Sequence, residues 1–88
     1  MRYQVRLSDR AAKDLDRLNR QTQERMVKRL EQIGDAPQDP RFSSMLTGQG
    51  RLRRSRVGGW RIIFAVDEEE QTVNVLTIER RGQAYHRI

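Results

Sequence analysis

Two stretches of the chain carry side chains able to act on a phosphate. The first, RLRRSRVGGWRIIF at 51–64, sets five arginines around a Gly58-Gly59 pair. The second, IERRGQAYHRI at 78–88, adds Arg81, Tyr85 and His86. A guanidinium is a fixed cation whose planar fork of donors matches the oxygens of a phosphate or carboxylate. Tyrosine and histidine add groups that can move a proton. In such a set Arg61 and Arg81 would clamp a reacting phosphate. Arg54 and Arg56, with Arg51 and Arg53, would hold it or its neighbours, and Tyr85 or His86 would handle the proton.

Composition points the same way. Eighteen Lys and Arg against twelve Asp and Glu leave a net charge of +6, and arginine supplies all the cations but Lys13 and Lys28. A solvated surface is served equally well by lysine. A genome rich in arginine codons would raise the count without deciding where the arginines sit. With no cysteine and a single histidine, neither a disulfide framework nor a zinc site is expected, and no metal or other cofactor is called for. No apolar run approaches the ~18 residues of a membrane span, and MRYQVRLSD lacks a signal-peptide core. The expectation is one cytoplasmic domain over 1–88, with no membrane contact.

The elements that must position these groups are legible from periodicity. Tyr3, Val5 and Leu7 alternate with Arg2, Gln4 and Arg6, as in a half-buried strand. Ser8 and Asp9 are helix-cap residues, and Ala12, Leu15 and Leu18 mark a short helix to about Asn19. A second helix is expected from about Gln21 to Ile33, with Met26, Val27, Leu30 and Ile33 facing inward and Gly34 as its stop. Phe42, Met45 and Leu46 would pin the irregular 35–50 connection to the core. Strand-like runs follow at about 51–57, 60–67 and 72–79. The expected fold is α+β, in the order β-α-α-β-β-β, with a helical hairpin packed on a mainly antiparallel four-stranded sheet.

Gly58-Gly59 as a two-residue turn places Val57 opposite Trp60 and Arg56 opposite Arg61. One face then carries Leu52, Arg54, Arg56, Arg61, Ile63 and Ala65. The other carries Val57, Trp60, Ile62, Phe64 and Val66, with Arg51 and Arg53 where the strand begins. Like charges directly opposite on a sheet cost roughly 0.2–1 kcal/mol. Conflicts of this kind between local sequence and stability are expected where a site is being built. Asp67 and Glu68 to Glu70 could neutralise the arginines, but they sit at the far end of the hairpin, so an anion from outside is the favoured partner.

The chain resembles the RelE/ParE toxin superfamily, in particular its RelE-like branch. The resemblance rests on the opening strand and the A-x-K-D-L-x-x-L helix pattern (Ala11, Lys13, Asp14, Leu15, Leu18). It extends through the proline after the second helix, Leu46-Thr47-Gly48, R-V-G-G-W-R-I-I-F at 56–64 and the closing RRGQAY. It implies an mRNA endonuclease of the ribosomal A site that works without a metal. It also implies a RelB-like antitoxin that folds on binding, and a toxin–antitoxin hetero-oligomer. Arg54, Arg56 and Arg61 match the family's basic sheet positions, and Arg81 and Tyr85 its C-terminal pair. Leu52 stands where some members carry a lysine. Other members use a C-terminal histidine, which brings in His86.

RNA supplies its own nucleophile, the 2′-OH, so the protein must orient it, help remove its proton, stabilise the phosphorane charge and protonate the leaving 5′-oxygen. Arginines suit the charge, and neighbouring guanidinium groups push a tyrosine toward its ionised form. Two other readings stand beside this one: a ParE-like inhibitor of DNA gyrase with no chemistry of its own, and a non-catalytic nucleic-acid-binding module. Against the latter, the strands lack a solvent-facing aromatic pair for stacking bases.

Overall fold

A strand that turns into a helix within one residue needs a cap, and Ser8 supplies it. In the computed structural model, which describes residues 2–46, 48 and 50–80, β1 (Gln4–Leu7) runs into α1 (Asp9–Asp16). The Ser8 hydroxyl accepts from the Ala11 amide at 2.9 Å and donates to the Leu76 carbonyl at 2.7 Å. It therefore caps the helix and ties it to the sheet. Asn19 repeats the device for α2 (Arg20–Asp35), accepting from the Thr22 amide at 2.9 Å. Gln23 Nε2 donates to the Leu15 carbonyl at 2.8 Å and closes the helical hairpin.

The helices and the turn between them bury Ala11, Leu18, Met26, Leu30 and Ile33. Ala11 takes the inward position expected of Ala12, because Ala11, Leu15 and Leu18 fall at i, i+4 and i+7. Val27 is exposed, since Met26, Leu30 and Ile33 already complete the α2 stripe. Gly34 does not stop the helix. It is buried in the last turn, where its carbonyl accepts the Tyr3 amide at 2.9 Å. The chain leaves the helix at Ala36, φ −151°, the residue before Pro37, where helical geometry is disfavoured.

Four more strands follow: β2 (Ser44–Met45), β3 (Leu52–Val57), β4 (Trp60–Asp67) and β5 (Thr72–Arg80). The sheet order is β1-β5-β4-β3-β2, antiparallel throughout except between β1 and β5. The α+β class matches expectation, but the sheet has five strands rather than four. The additional one, β2, pairs Ser44 with Arg54 and Met45 with Arg53, and two residues are too few to show an alternating pattern. Its connection is not pinned by apolar burial as expected. Met45 is 55% exposed, and Phe42 carries the guanidinium groups of Arg29 and Arg41 over its ring at 5.6 and 5.2 Å. Polar bonds hold it instead: Ser43 Oγ donates to the Pro37 carbonyl at 2.6 Å and accepts from Arg53 Nε at 2.9 Å.

The hairpin register is the one the glycine pair dictates: Val57 faces Trp60 and Arg56 faces Arg61. Only Gly58 has positive φ, +59°, a pattern that fits a type II′ rather than a I′ turn. The β4–β5 ladder breaks between Ile63 and Phe64, whose partners are Thr77 and Val75. Leu76 is the extra residue of a β-bulge, and the bulge inverts the alternation of β5. Before it Val73 and Val75 enter the core. After it Ile78 does, and Thr77 and Glu79 turn to the face away from the helices. On the helix side Val57, Ile62, Phe64, Val73, Val75 and Ile78 join the helical residues in one cluster, with Trp60 packed against it.

Candidate functional site

On the sheet face away from the helices, the register places side chains in rows across the strands. One row is Arg56, Arg61 and Glu79; the next is Ser44, Arg54, Ile63 and Thr77. The three arginines singled out at 54, 56 and 61 therefore do share a surface, in two adjacent rows.

They are not equivalent. Arg61 donates to Glu79 Oε1 from Nε at 3.4 Å and from Nη2 at 3.3 Å, and the two side chains are 14% and 15% exposed. Both distances lie beyond the usual 2.7–2.9 Å of a charge-assisted bond, so Glu79 orients Arg61 without saturating it. Among the described residues, neither Arg54 nor Arg56 has a side-chain hydrogen bond or ion pair. Arg54 is half-buried and Arg56 exposed. Glu79 is the carboxylate that sequence reasoning missed. Thr77 adds a second conflict in the row beside it: its Oγ1 is buried and has no partner among the described residues.

Two of the four acids first considered as neutralising groups, Asp67 and Glu68, are engaged elsewhere. Glu68 accepts from the Tyr3 hydroxyl at 2.7 Å and from Gln38 Nε2 at 2.9 Å. The hydrogen bond to Glu68 raises the Tyr3 phenol above its ordinary value. Asp67 accepts the Glu70 amide at 3.0 Å within the β4–β5 turn. Arg51 and Arg53 are not brought to the row face. They border a separate cleft of about 620 Å³ beside Asp67, Glu68 and Glu69, and Arg53 donates to Ser43. Arg81, Tyr85 and His86 lie outside the described residues. The last described residue, Arg80, stands opposite Trp60 with its guanidinium 5.2 Å from the ring centre.

A further arginine, unflagged by the sequence, frames the site from behind. Arg29 of α2 donates through Nη1 to Ser55 Oγ at 2.9 Å and to the Arg56 carbonyl at 2.8 Å, and through Nε to Gln32 at 3.1 Å. Because Val57 and Trp60 close the two-residue turn, the Arg56 carbonyl points away from β4, and β2 pairs β3 only at Arg53 and Arg54. Arg29 thus satisfies the β3 edge where the sheet leaves it open. Its sequence signal was the helical period, since it flanks buried Leu30.

Among the described residues the arrangement offers two unpaired guanidinium groups and one loosely held beside a carboxylate, all on paired strands. It can receive anionic oxygens with little reorganisation. Among the described residues there is no cluster of three or more metal-ligating side chains, and no helix is long and apolar enough to cross a membrane.

Comparison with known proteins identifies the family and the fold. Residues 5–85 match the model of the ParE toxin of the parDE type II toxin–antitoxin system. A putative RelE-like toxin protein of Escherichia coli is 29% identical over 86 residues, covering 96% of this chain and 88% of the relative. Among solved structures, the archaeal RelE–RelB complex from Pyrococcus horikoshii has a TM-score of 0.80 at 25% identity, over 94% of this chain and 99% of the neighbour. The intact E. coli RelBE toxin–antitoxin complex has the same TM-score at 21% identity, over 90% and 96%, and shares the fold. The chain belongs to the ParE toxin family, within the RelE/ParE group of toxins of type II toxin–antitoxin systems.

Proposed function

We propose that this toxin is a ribosome-dependent endoribonuclease that cleaves mRNA in the ribosomal A site without a metal ion. The observation that carries the reading is that Arg54 and Arg56 stand on one sheet face beside Arg61, unpaired among the described residues. That geometry sacrifices stability unless an external anion is received there.

In this reading the 2′-oxygen attacks the adjacent phosphorus while its proton passes to Tyr85 or His86. The P–O5′ bond breaks, the leaving 5′-oxygen takes a proton from the other member of that pair, and the products are a 2′,3′-cyclic phosphate and a 5′-hydroxyl. Arg61, oriented by Glu79, and Arg81 hold the scissile phosphate. Arg54 and Arg56 stabilise its developing charge or grip the next phosphate. The ribosome supplies the in-line geometry that a flat sheet face does not.

A partner follows from the same charge. Structural neighbours are RelE proteins in complexes with RelB antitoxins, and an antitoxin segment that folds on binding and presents carboxylates would silence Arg54 and Arg56. Both the ribosome and such a complex put the protein in the cytoplasm.

One observation favours a second reading. The matched family model is that of the ParE toxin, so the fold could instead serve as an inhibitor of DNA gyrase with no chemistry. Inducible expression, with mRNA 5′-ends mapped and gyrase supercoiling assayed in parallel, separates the two. Codon-phased cuts in translated messages are expected. Gyrase inhibition without cuts would overturn the nuclease reading.

A further inference from the structure

Where β2 ends, the sheet edge opens into a cleft of about 340 Å³ lined by Arg29, Arg41, Phe42, Ser44, Arg54 and Arg56, with Pro40 and Ser43 completing it. Four of its eight lining residues are arginines and none is acidic. Two of the four, Arg54 and Arg56, are shared with the row face, so the cleft continues that face around the β3 edge.

The other two cations are held in place before any ligand arrives. Arg29 is fixed by Ser55, the Arg56 carbonyl and Gln32, which engage Nη1 and Nε and, among the described residues, leave Nη2 unused. Arg41 is held by Asp39, which takes Nε at 3.2 Å and Nη2 at 2.8 Å and, among the described residues, leaves Nη1 unused. Both guanidinium planes lie over Phe42, a contact worth more as the cation is desolvated. Ser44, in register with Arg54, is exposed at the mouth. A fixed donor with an unused N–H loses little entropy when an anion binds, and two such cations beside Arg54 and Arg56 favour a ligand with repeated negative charge.

We infer that this cleft is a second phosphate subsite, which holds a backbone phosphate of the single-stranded RNA next to the one at Arg61, with Arg41 as its specific contact. The inference rests on the nuclease reading and extends it. The transcript crosses from the Arg61 row over Arg54 and Arg56 and leaves the sheet along β2, and Arg41 reads the backbone outside the reacting centre.

The test is binding of a 2′-O-methyl hexauridylate, which has no nucleophile and cannot be cut, to the full chain over a range of salt concentrations. Each phosphate contact on a single strand contributes about 0.7 to the slope of log K against log salt. Arg41→Gln is expected to lower that slope by about 0.7, while Arg41→Lys keeps the slope and only weakens binding, because a point charge replaces the fork. Arg41 is 77% exposed, so both variants fold, and thermal melts check it. An unchanged slope for Arg41→Gln, with wild type binding the RNA and cutting mRNA on ribosomes, overturns the subsite and leaves the nuclease reading standing. Failure of the wild type to bind the RNA overturns the subsite, whereas failure to cut mRNA on ribosomes overturns the nuclease reading on which it rests. Loss of binding to a poly-glutamate peptide but not to the RNA would instead make the cleft a docking site for an acidic protein segment.

Discussion

The two sides of β3 use the same residue type in opposite ways. Toward the helices and along the edge, Arg29 and Arg53 donate to neutral oxygens of Ser55, Ser43 and the Arg56 backbone, and act as struts. On the far face, Arg54 and Arg56 donate to nothing among the described residues, and Arg61 is loosely held by Glu79. Composition cannot distinguish a strut from a ligand receiver; what separates them is how much of each guanidinium the fold's own acceptors engage and how much is left for a ligand. The first kind is part of stability, and the second is tolerated at its expense.

The contrast can be broken at several points. The largest effect is expected at Arg61: Arg61→Ala should slow single-turnover cleavage on programmed ribosomes about 10²–10³-fold, the usual cost of one fixed donor to developing charge. Full-rate cleavage would remove Arg61 from the reacting centre. Next comes the strut. Arg29→Ala strips the partner from Ser55 Oγ, on a residue 1% exposed, and from the Arg56 carbonyl. It should destabilise the fold by roughly 1–3 kcal/mol in urea titration, the cost of an unsatisfied buried polar group. Arg56→Ala should do the reverse and stabilise by about 0.2–1 kcal/mol, as repulsion across the Arg56/Arg61 pair is relieved. Equal losses from the two substitutions would erase the distinction between the faces.

The smallest effect tests an exposed pair. The hydrogen bonds from Arg41 hold the Asp39 carboxyl below its ordinary value. A depressed folded-state pKa contributes stability that is present above the unfolded value, near 3.8, and lost as the pH falls through the folded one. The difference in Tm between wild type and Asp39→Asn should therefore be constant from pH 7 to 5 and close below pH 4. A difference that widens in acid would contradict that sign.

Much of this was legible in the sequence where one residue type fixes geometry. Two glycines between strand-like runs set the hairpin register, and with it the Arg56/Arg61 confrontation. Ser8 and the alternation around it marked the change from strand to helix. Glu79 escaped for a physical reason: strict alternation from Val73 and Val75 sends it to the core side, and the bulge at Leu76 sends it to Arg61 instead. A bulge is a tertiary compromise with no local signature in TVNVLTIER. The cleft escaped as well, because β2 is two residues long and Phe42 reads as a core anchor until two guanidinium groups are seen over its ring.

The most direct measurement takes both unpaired cations away at once. In Arg54→Ala/Arg56→Ala the account predicts a Tm equal to or above that of the wild type, together with at least a hundredfold loss of single-turnover mRNA cleavage on programmed ribosomes. Cleavage at the wild-type rate, or a collapse of the fold on losing these two side chains, would contradict the claim that they are held unpaired to receive the transcript.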